Sequence, residues 1–307
     1  MSLPPPPPSA APRIEVPGGT SVCYRHPKRE TGRKCTRCGK TACSECLVQA
    51  AVGSHCVECA KAARPDVKTR ARFWSARQPA MITLGIMGLN VLLFLYSAVR
   101  DPRALSGDLT ITHFQLGLFD GGLTGGATGQ LPDGSIYTTD GGQWYRLITS
   151  GFMHYGIIHI ALNMYLLYQL GQMIEPMIGR LRFGLVYLAA LLGGSAGALV
   201  LGGGGVTAGA SGAVFGLMGL AAVGYYLRGI NPLSTSIGSL LILNLFITFM
   251  FRGTISVGGH IGGLVAGTLC AFVVVAPAHR RLPRWATYAT PVAVSLLSVV
   301  VSALAVQ

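Results

Sequence analysis

Charge is scarce in this 307-residue chain. Asp, Glu, Lys and Arg make up 11% of it and hydrophobic residues 50%, whereas a soluble domain carries about 25% charged residues. Several apolar runs reach the roughly 20 residues needed to cross a bilayer. The expected class is therefore an all-α polytopic membrane protein. Other features are missing too. No apolar core follows a basic start, so residues 1–20, with the run Pro4–Pro8, read as a disordered proline-rich leader and not a cleaved signal. There is no internal repeat with broken helices in matching positions, and the spans are nearly free of Asp and Glu. Both lacks argue against a transporter or channel. Despite a net charge of +13, no basic patch is interleaved with aromatic stacking residues, so no nucleic-acid partner is expected.

The cations instead sort by membrane side. Residues 61–78 form a basic linker with Lys61, Arg64, Lys68, Arg70, Arg72 and Arg77, suited to touch anionic headgroups of the lipid bilayer. Spans are expected at about 79–99, 153–171, 181–201, 206–227, 234–251, 254–276 and 285–306. Arg180, Arg182, Arg228, Arg280, Arg281 and Arg284 then share one side with the linker, and Arg252 alone breaks the pattern. The positive-inside rule puts the N-terminus in the cytoplasm, and seven spans leave the C-terminus outside. The 42 glycines suit membrane helices that pack backbone to backbone. Residues 100–152 make a long external loop with five aspartates, glycine-rich and flexible over Gly121–Gly129.

Residues 21–60 are a separate module. It holds Cys23-x2-His26, Cys35-x2-Cys38, Cys43-x2-Cys46 and Cys56-x2-Cys59. Eight ligands in four knuckle-like pairs are enough for two tetrahedral zinc ions. Disulfides are the alternative, but this side of the membrane reads as cytoplasmic and reducing. So short a segment has little apolar core, and metal binding would supply much of its folding energy. His55 is a spare candidate ligand. Closed four-ligand sites leave no open position, so the expected role is binding or regulation, with a protein partner of the module.

The chemistry lies in the spans, where each polar residue is a functional candidate. Ser211 sits between glycines in Gly209-Ala210-Ser211-Gly212, at the mouth of the fourth span. His260 opens the sixth span, in Gly258-Gly259-His260-Ile261-Gly262-Gly263. Both spans run inward, so the two residues share a depth in the outer part of the bilayer. His159 and Asn163, four apart on one face of the second span, enter at a comparable level, with His154 one turn nearer the outside. For Gly209–Gly212 alone, close helix packing through Gly212-x3-Gly216 is the simpler account. The matched depth of the histidines favours chemistry. A serine needs a base, and His260 can take its proton and later deliver it to a leaving amine. His159, Asn163 and the Ser211 N–H can donate to a developing oxyanion. No carboxylate is placed to orient His260, so a dyad is expected, with no cofactor for catalysis.

These residues resemble the rhomboid family of intramembrane serine proteases. The family's His-x4-His-x3-Asn pattern matches His154, His159 and Asn163. Its Gly-x-Ser-Gly matches Gly209, Ser211 and Gly212. Its His-x2-Gly-x3-Gly matches His260, Gly263 and Gly267, and its Trp-Arg appears as Tyr145-Arg146, with tyrosine in place of the tryptophan and Trp144 just before. The resemblance covers about 140–276. It implies a six-helix rhomboid core over 79–276, with residues 277–307 forming a linker and a seventh transmembrane helix. It implies Ser211 as nucleophile, His260 as base, and His154, His159, Asn163 and Gly209 around the oxyanion. It implies a substrate cut in or near its transmembrane segment. From the span topology and charge pattern the site is expected to open to the outer side of a membrane, with a bacterial plasma membrane the expected location. Phe215 stands where many members carry a tyrosine against the histidine. The module, in turn, resembles a B-box zinc finger. That likeness implies interleaved sites, Cys23, His26, Cys43 and Cys46 for one zinc and Cys35, Cys38, Cys56 and Cys59 for the other. The alternative function is a catalytically inactive relative that binds membrane clients, although such relatives usually lose the serine or the histidine.

Overall fold

A computed structural model describes residues 21–50, 52–63, 79–130, 134, 136–202, 205–276 and 282–307. The proline-rich leader, Arg64, Lys68, Arg70, Arg72, Arg77, Asp133, Arg280 and Arg281 lie outside the described residues. The chain divides into two compact units, Met1–Ser75 and Ala76–Gln307.

The first unit is organised by sulfur more than by hydrocarbon. β1 (Ser21–Cys23) pairs antiparallel with β2 (His26–Thr31), and β3 (Leu47–Gln49) pairs antiparallel with β4 (Ser54–Cys56), which leads into α1 (Val57–Ala62). Among the described residues its small buried cluster is Cys23, Ala42, Cys43 and Cys46, flanked by Tyr24 and Leu47.

The second unit is helical. Its elements are α2 (Met81–Arg100), α3 (Ile111–Leu116), α4 (Asp120–Thr124), the hairpin β5 (Thr128–Gln130) and β6 (Ile136–Thr138), and α5 (Arg146–Thr149). Six long helices follow: α6 (Gly156–Ile178), α7 (Arg180–Leu201), α8 (Ser211–Tyr226), α9 (Ser236–Met250), α10 (Val257–Val274) and α11 (Ala286–Ala305). The chain is a polytopic helical membrane protein. Among the described residues five helices, α2, α6, α7, α10 and α11, are long and apolar enough to span a bilayer, and α8 and α9 are shorter apolar helices. α7 is central and packs against α8, α10 and α11. Leu92, Leu162, Phe246 and Leu296 are among the large apolar side chains that face outward, as lipid-facing positions should.

Three expectations are corrected. The fourth span was expected over 206–227, but α8 has only 16 residues and rises about 24 Å. Residues 206–210 are not helical, because Gly209 has φ +133° and Thr207 pairs with Leu118 through both backbone bonds, at 2.9 and 2.7 Å. Ser211 is thus the first residue of its helix, not a few residues into it. The second span was expected over 153–171, but α6 starts at Gly156 and runs to Ile178. His154 therefore lies in the extended segment before α6. Arg180 and Arg182 open α7, separated from α6 only by Gly179 at φ 89°, a left-handed C-cap that glycine accommodates.

The third correction concerns the flexibility expected over Gly121–Gly129: those residues carry α4 and most of β5, and the described residues of the 100–152 loop also hold α3, β6 and α5. Arg146 is fully buried there and spends its whole guanidinium on the loop. Nη1 donates to the carbonyl oxygens of Phe114 (2.5 Å) and Gly117 (2.6 Å), Nη2 to the Tyr137 hydroxyl (2.9 Å) and Nε to Gln143 Oε1 (2.7 Å). The guanidinium also lies 4.7 Å over the Phe119 ring. A planar five-donor fork can tie together strands of loop that no apolar core holds.

The longer α6 also brings a carboxylate into the helical bundle. Glu175 is buried and accepts from the backbone N–H groups of Ile82 (3.0 Å) and Thr83 (2.8 Å) and from the Thr83 hydroxyl (2.8 Å). It caps α2, where unpaired N–H groups and the helix dipole favour a negative charge. It sits 16 residues beyond His159, about 24 Å along the helix, so it does not serve the site.

Candidate active site

Ser211 and His260 are brought together at the same end of the bundle. Ser211 Oγ lies 2.8 Å from His260 Nε2. This requires α8 and α10 to touch backbone to backbone. A Cβ on Gly263 would strike the Gly212 carbonyl, and one on Gly267 would strike the Gly216 carbonyl. Only glycine permits that approach. The Phe215 ring stacks on His260, with centroids 4.3 Å apart and planes 20° apart.

His159 faces the same place. A Cβ built on Gly209 would lie 2.9 Å from His159 Cε1, 3.0 Å from its Nε2 and 3.5 Å from Ser211 Oγ. Gly209 is thus needed twice, for its positive φ and for the space the imidazole fills. Its N–H donates to the Ser150 carbonyl at 2.9 Å. The Tyr155 N–H donates to His159 Nδ1 at 3.2 Å, so Nδ1 carries the lone pair and the ring proton sits on Nε2. That N–H is the edge turned toward Gly209 and Ser211. Asn163 is buried, and its Nδ2 donates to the His159 carbonyl at 3.0 Å.

His154 is placed differently. Its ring is buried, with its centroid 5.1 Å from that of His159. Its carbonyl accepts from His113 Nε2 at 3.1 Å. His113 in turn stacks on Tyr155, with centroids 4.5 Å apart, and the Tyr155 hydroxyl donates to the Val206 carbonyl at 2.5 Å. The loop therefore braces both the start of α6 and the approach to Ser211. Sequence reading passed over His113, Tyr155 and Thr248. His113 lies in the long loop between spans, where a histidine does not stand out as it does in an apolar run. Thr248 carried one legible signal, a hydroxyl in the otherwise apolar run Leu245-Phe246-Ile247-Thr248-Phe249-Met250.

The Rhomboid domain family model matches residues 141–277, the stretch that holds His154, His159, Asn163, Gly209, Ser211, Thr248 and His260. The putative rhomboid protease YdcA of Bacillus subtilis is 34% identical over 202 residues, 64% of this chain and 89% of that protein. The chain belongs to the rhomboid family. Rhomboid protease GluP of Bacillus subtilis is 37% identical over 139 residues, 44% of this chain and 27% of that protein. Rhomboid-type serine protease 2 of Emericella nidulans is 32% identical over 183 residues, 57% of this chain and 35% of that protein. The chain thus spans well under half the length of several relatives it matches.

The cysteine module lies outside the rhomboid match. Its eight side chains gather into two sets, Cys23, His26, Cys43 and Cys46, and Cys35, Cys38, Cys56 and Cys59, with ligand atoms in each set within 4.8 Å of one another. His26 Nδ1 lies 3.4 Å from the Sγ atoms of Cys43 and Cys46, and Cys38 Sγ lies 3.7 Å from Cys56 Sγ. Metal–sulfur bonds of about 2.3 Å in a tetrahedron put ligands roughly 3.7 Å apart, so both sets have the dimensions to hold a metal ion. None of the cysteines is in a disulfide. Burial raises the Cys35 thiol, but backbone N–H groups of Cys56 and Cys38 outweigh it and hold it down, to about 6. The neighbouring sulfurs of Cys38 and Cys56 push Cys59 up to about 12. Crowded thiolates resist sharing charge, and a bound cation relieves that conflict.

Proposed function

We propose that this chain is an intramembrane serine endopeptidase that cleaves the transmembrane segments of membrane proteins. What carries this reading is the 2.8 Å contact between Ser211 Oγ and His260 Nε2, between helices whose glycines let them meet. His260 takes the Ser211 proton as the oxygen attacks a scissile carbonyl. The oxyanion that forms accepts from the Ser211 N–H, from His159 Nε2–H and from Asn163 Nδ2. His260 then gives its proton to the leaving amine. A water, deprotonated by His260, releases the acyl group and restores Ser211. His154 and Gly209 support this arrangement by shaping it.

The short α8 supports access. At 16 residues and about 24 Å it is shorter than a hydrocarbon core of roughly 30 Å, so a serine at its start, after a non-helical approach, would sit below the outer surface. Irregular backbone at that depth is tolerated where it is buried in protein or lines a water-filled cavity. The charge pattern orients the chain in a plasma membrane with the N-terminus and cysteine module cytoplasmic, the site opening outward and the C-terminus outside. The module holds two structural zinc ions and serves a protein partner. The test is cleavage of a single-span substrate by purified protein. Wild type cleaves, and Ser211→Ala and His260→Ala do not. Cleavage that persists in Ser211→Ala overturns the reading.

A further inference from the structure

A serine–histidine pair works when a third group holds the imidazole in the right tautomer and orientation. Among the described residues, the one buried carboxylate of the helical bundle, Glu175, is committed to the start of α2. The Nδ1 side of His260 meets a hydroxyl instead. Thr248, on α9, is fully buried. Its Oγ1 makes two bonds, both 2.7 Å long, one to the Asn244 carbonyl oxygen a turn earlier and one to His260 Nδ1.

Proton counting gives the chain of bonds a direction. A hydroxyl has one proton. The Asn244 carbonyl can only accept, so the Thr248 proton goes there. Thr248 Oγ1 must then accept from His260, and Nδ1 must carry the ring proton. A neutral imidazole has no second one, so Nε2 is left with its lone pair aimed at Ser211 Oγ. That is the form able to take the serine's proton. Phe215 stacks on the face of the ring and cannot choose between the nitrogens.

We infer that Thr248 is the positioning residue of this site, holding His260 in its Nδ1–H tautomer through a hydrogen-bond chain that ends on the Asn244 carbonyl oxygen. This rests on the protease reading above. A threonine in a membrane helix often bonds back to the carbonyl four residues earlier for its own sake. Here the same oxygen also receives the histidine, in a fully buried position, and is the third member that sequence reading did not find. When His260 becomes imidazolium, Nδ1–H still donates to Thr248, and the bond strengthens because the donor is charged. Its contribution therefore falls mainly on kcat and little on KM.

The test compares purified full-length wild type, Thr248→Val and Thr248→Ser in bilayers, by cleavage kinetics and by 15N NMR of labelled histidine. The His260 signal is assigned by its absence from His260→Ala. Wild type shows the Nδ1–H tautomer. Thr248→Val, which keeps the shape and loses the acceptor, shifts signal toward Nε2–H and lowers kcat roughly ten- to a hundredfold, at most the lower end of the roughly 10²–10⁴-fold supplied by a positioned acid–base group, because His260 itself is retained. Its KM stays within about twofold, and Thr248→Ser recovers kcat to within about threefold. An Nε2–H tautomer in wild type overturns the inference, as does an unchanged kcat in Thr248→Val, or a Thr248→Ser as impaired as Thr248→Val. The wild-type tautomer needs no variant to fold. It is also independent of turnover. If wild type neither cleaves nor labels at Ser211 with a serine-directed phosphonate, the protease reading fails while the role of Thr248 is still decided by the spectrum.

Discussion

Ser211 and His260 stand 49 residues apart in the chain, yet their Oγ and Nε2 atoms are 2.8 Å apart. Neither helix could deliver this alone. The contact exists because Gly263 and Gly267 lie against the carbonyls of Gly212 and Gly216, which sets the separation of α8 and α10.

That dependence gives a first prediction. Gly267→Val places side-chain carbon where the Gly216 backbone now lies and forces α10 away from α8. Overpacking of this kind costs about 1–3 kcal/mol or more. The expected outcome is a lower melting temperature in detergent, together with loss of cleavage. A variant that melts and cleaves like wild type would show that the helices are not held by this approach.

Gly209→Ala addresses the oxyanion side. The substitution meets φ +133° and a Cβ position 2.9 Å from the His159 ring. Strain of this type costs about 1–3 kcal/mol, and displacement of the His159 N–H removes a donor worth about 10²–10³ in kcat. The protein should still fold and still label at Ser211 with a phosphonate, but turnover should fall about a hundredfold. Steady-state kinetics at matched folded protein checks it.

Arg146→Lys tests the loop. A lysine keeps the charge but cannot replace a fork that bonds the carbonyls of Phe114 and Gly117, Tyr137 and Gln143 at once. A buried acceptor left unpaired costs about 1–3 kcal/mol. Limited proteolysis should show new cuts within residues 100–152, with faster inactivation on warming. Unchanged proteolysis would assign the loop's order to its other contacts.

Glu175→Ala removes the cap of α2. The N–H groups of Ile82 and Thr83 lose a charged acceptor inside the bundle, a cost of about 1–3 kcal/mol. Stability should fall, while kcat per folded molecule should hold, since Glu175 lies about 24 Å along α6 from His159. A selective loss of kcat would give Glu175 a part in the site.

Metal content checks the cysteine module. Purified chain should carry two zinc ions, and Cys35→Ser with Cys38→Ser should leave about one, because each set is a separate four-ligand site. The module's own apolar cluster is small, so a chelator should unfold it. Cleavage by the membrane unit, which has its own core, should change by less than about twofold, the scatter expected of independent sites. Elemental analysis and circular dichroism read the first two outcomes, and the substrate assay reads the third. A large change in rate at equal protein level would instead make the module a regulator.

Much of this protein is legible in its residue order. Scarce charge and long apolar runs dictate helices in a bilayer, because backbone polar groups there must be satisfied internally. The spacing of four cysteine and histidine pairs names eight ligand candidates, and those eight gather into the two sets the B-box likeness implies. Polar residues in apolar spans, Ser211, His159, Asn163 and His260, mark the site because each is costly to place there. Local pattern could not reveal where helices end when a long-range contact overrides propensity. Residues 206–210 are apolar and small, yet pairing with Leu118 and the φ of Gly209 keep them out of α8. Likewise, the glycine-rich loop reads as flexible until Arg146 is seen to hold it from within. The tautomer of His260 was decided only by tertiary structure. It depends on which hydroxyl from another helix reaches Nδ1 and where that hydroxyl must send its single proton, a matter of three-dimensional neighbours that no spacing along the chain encodes.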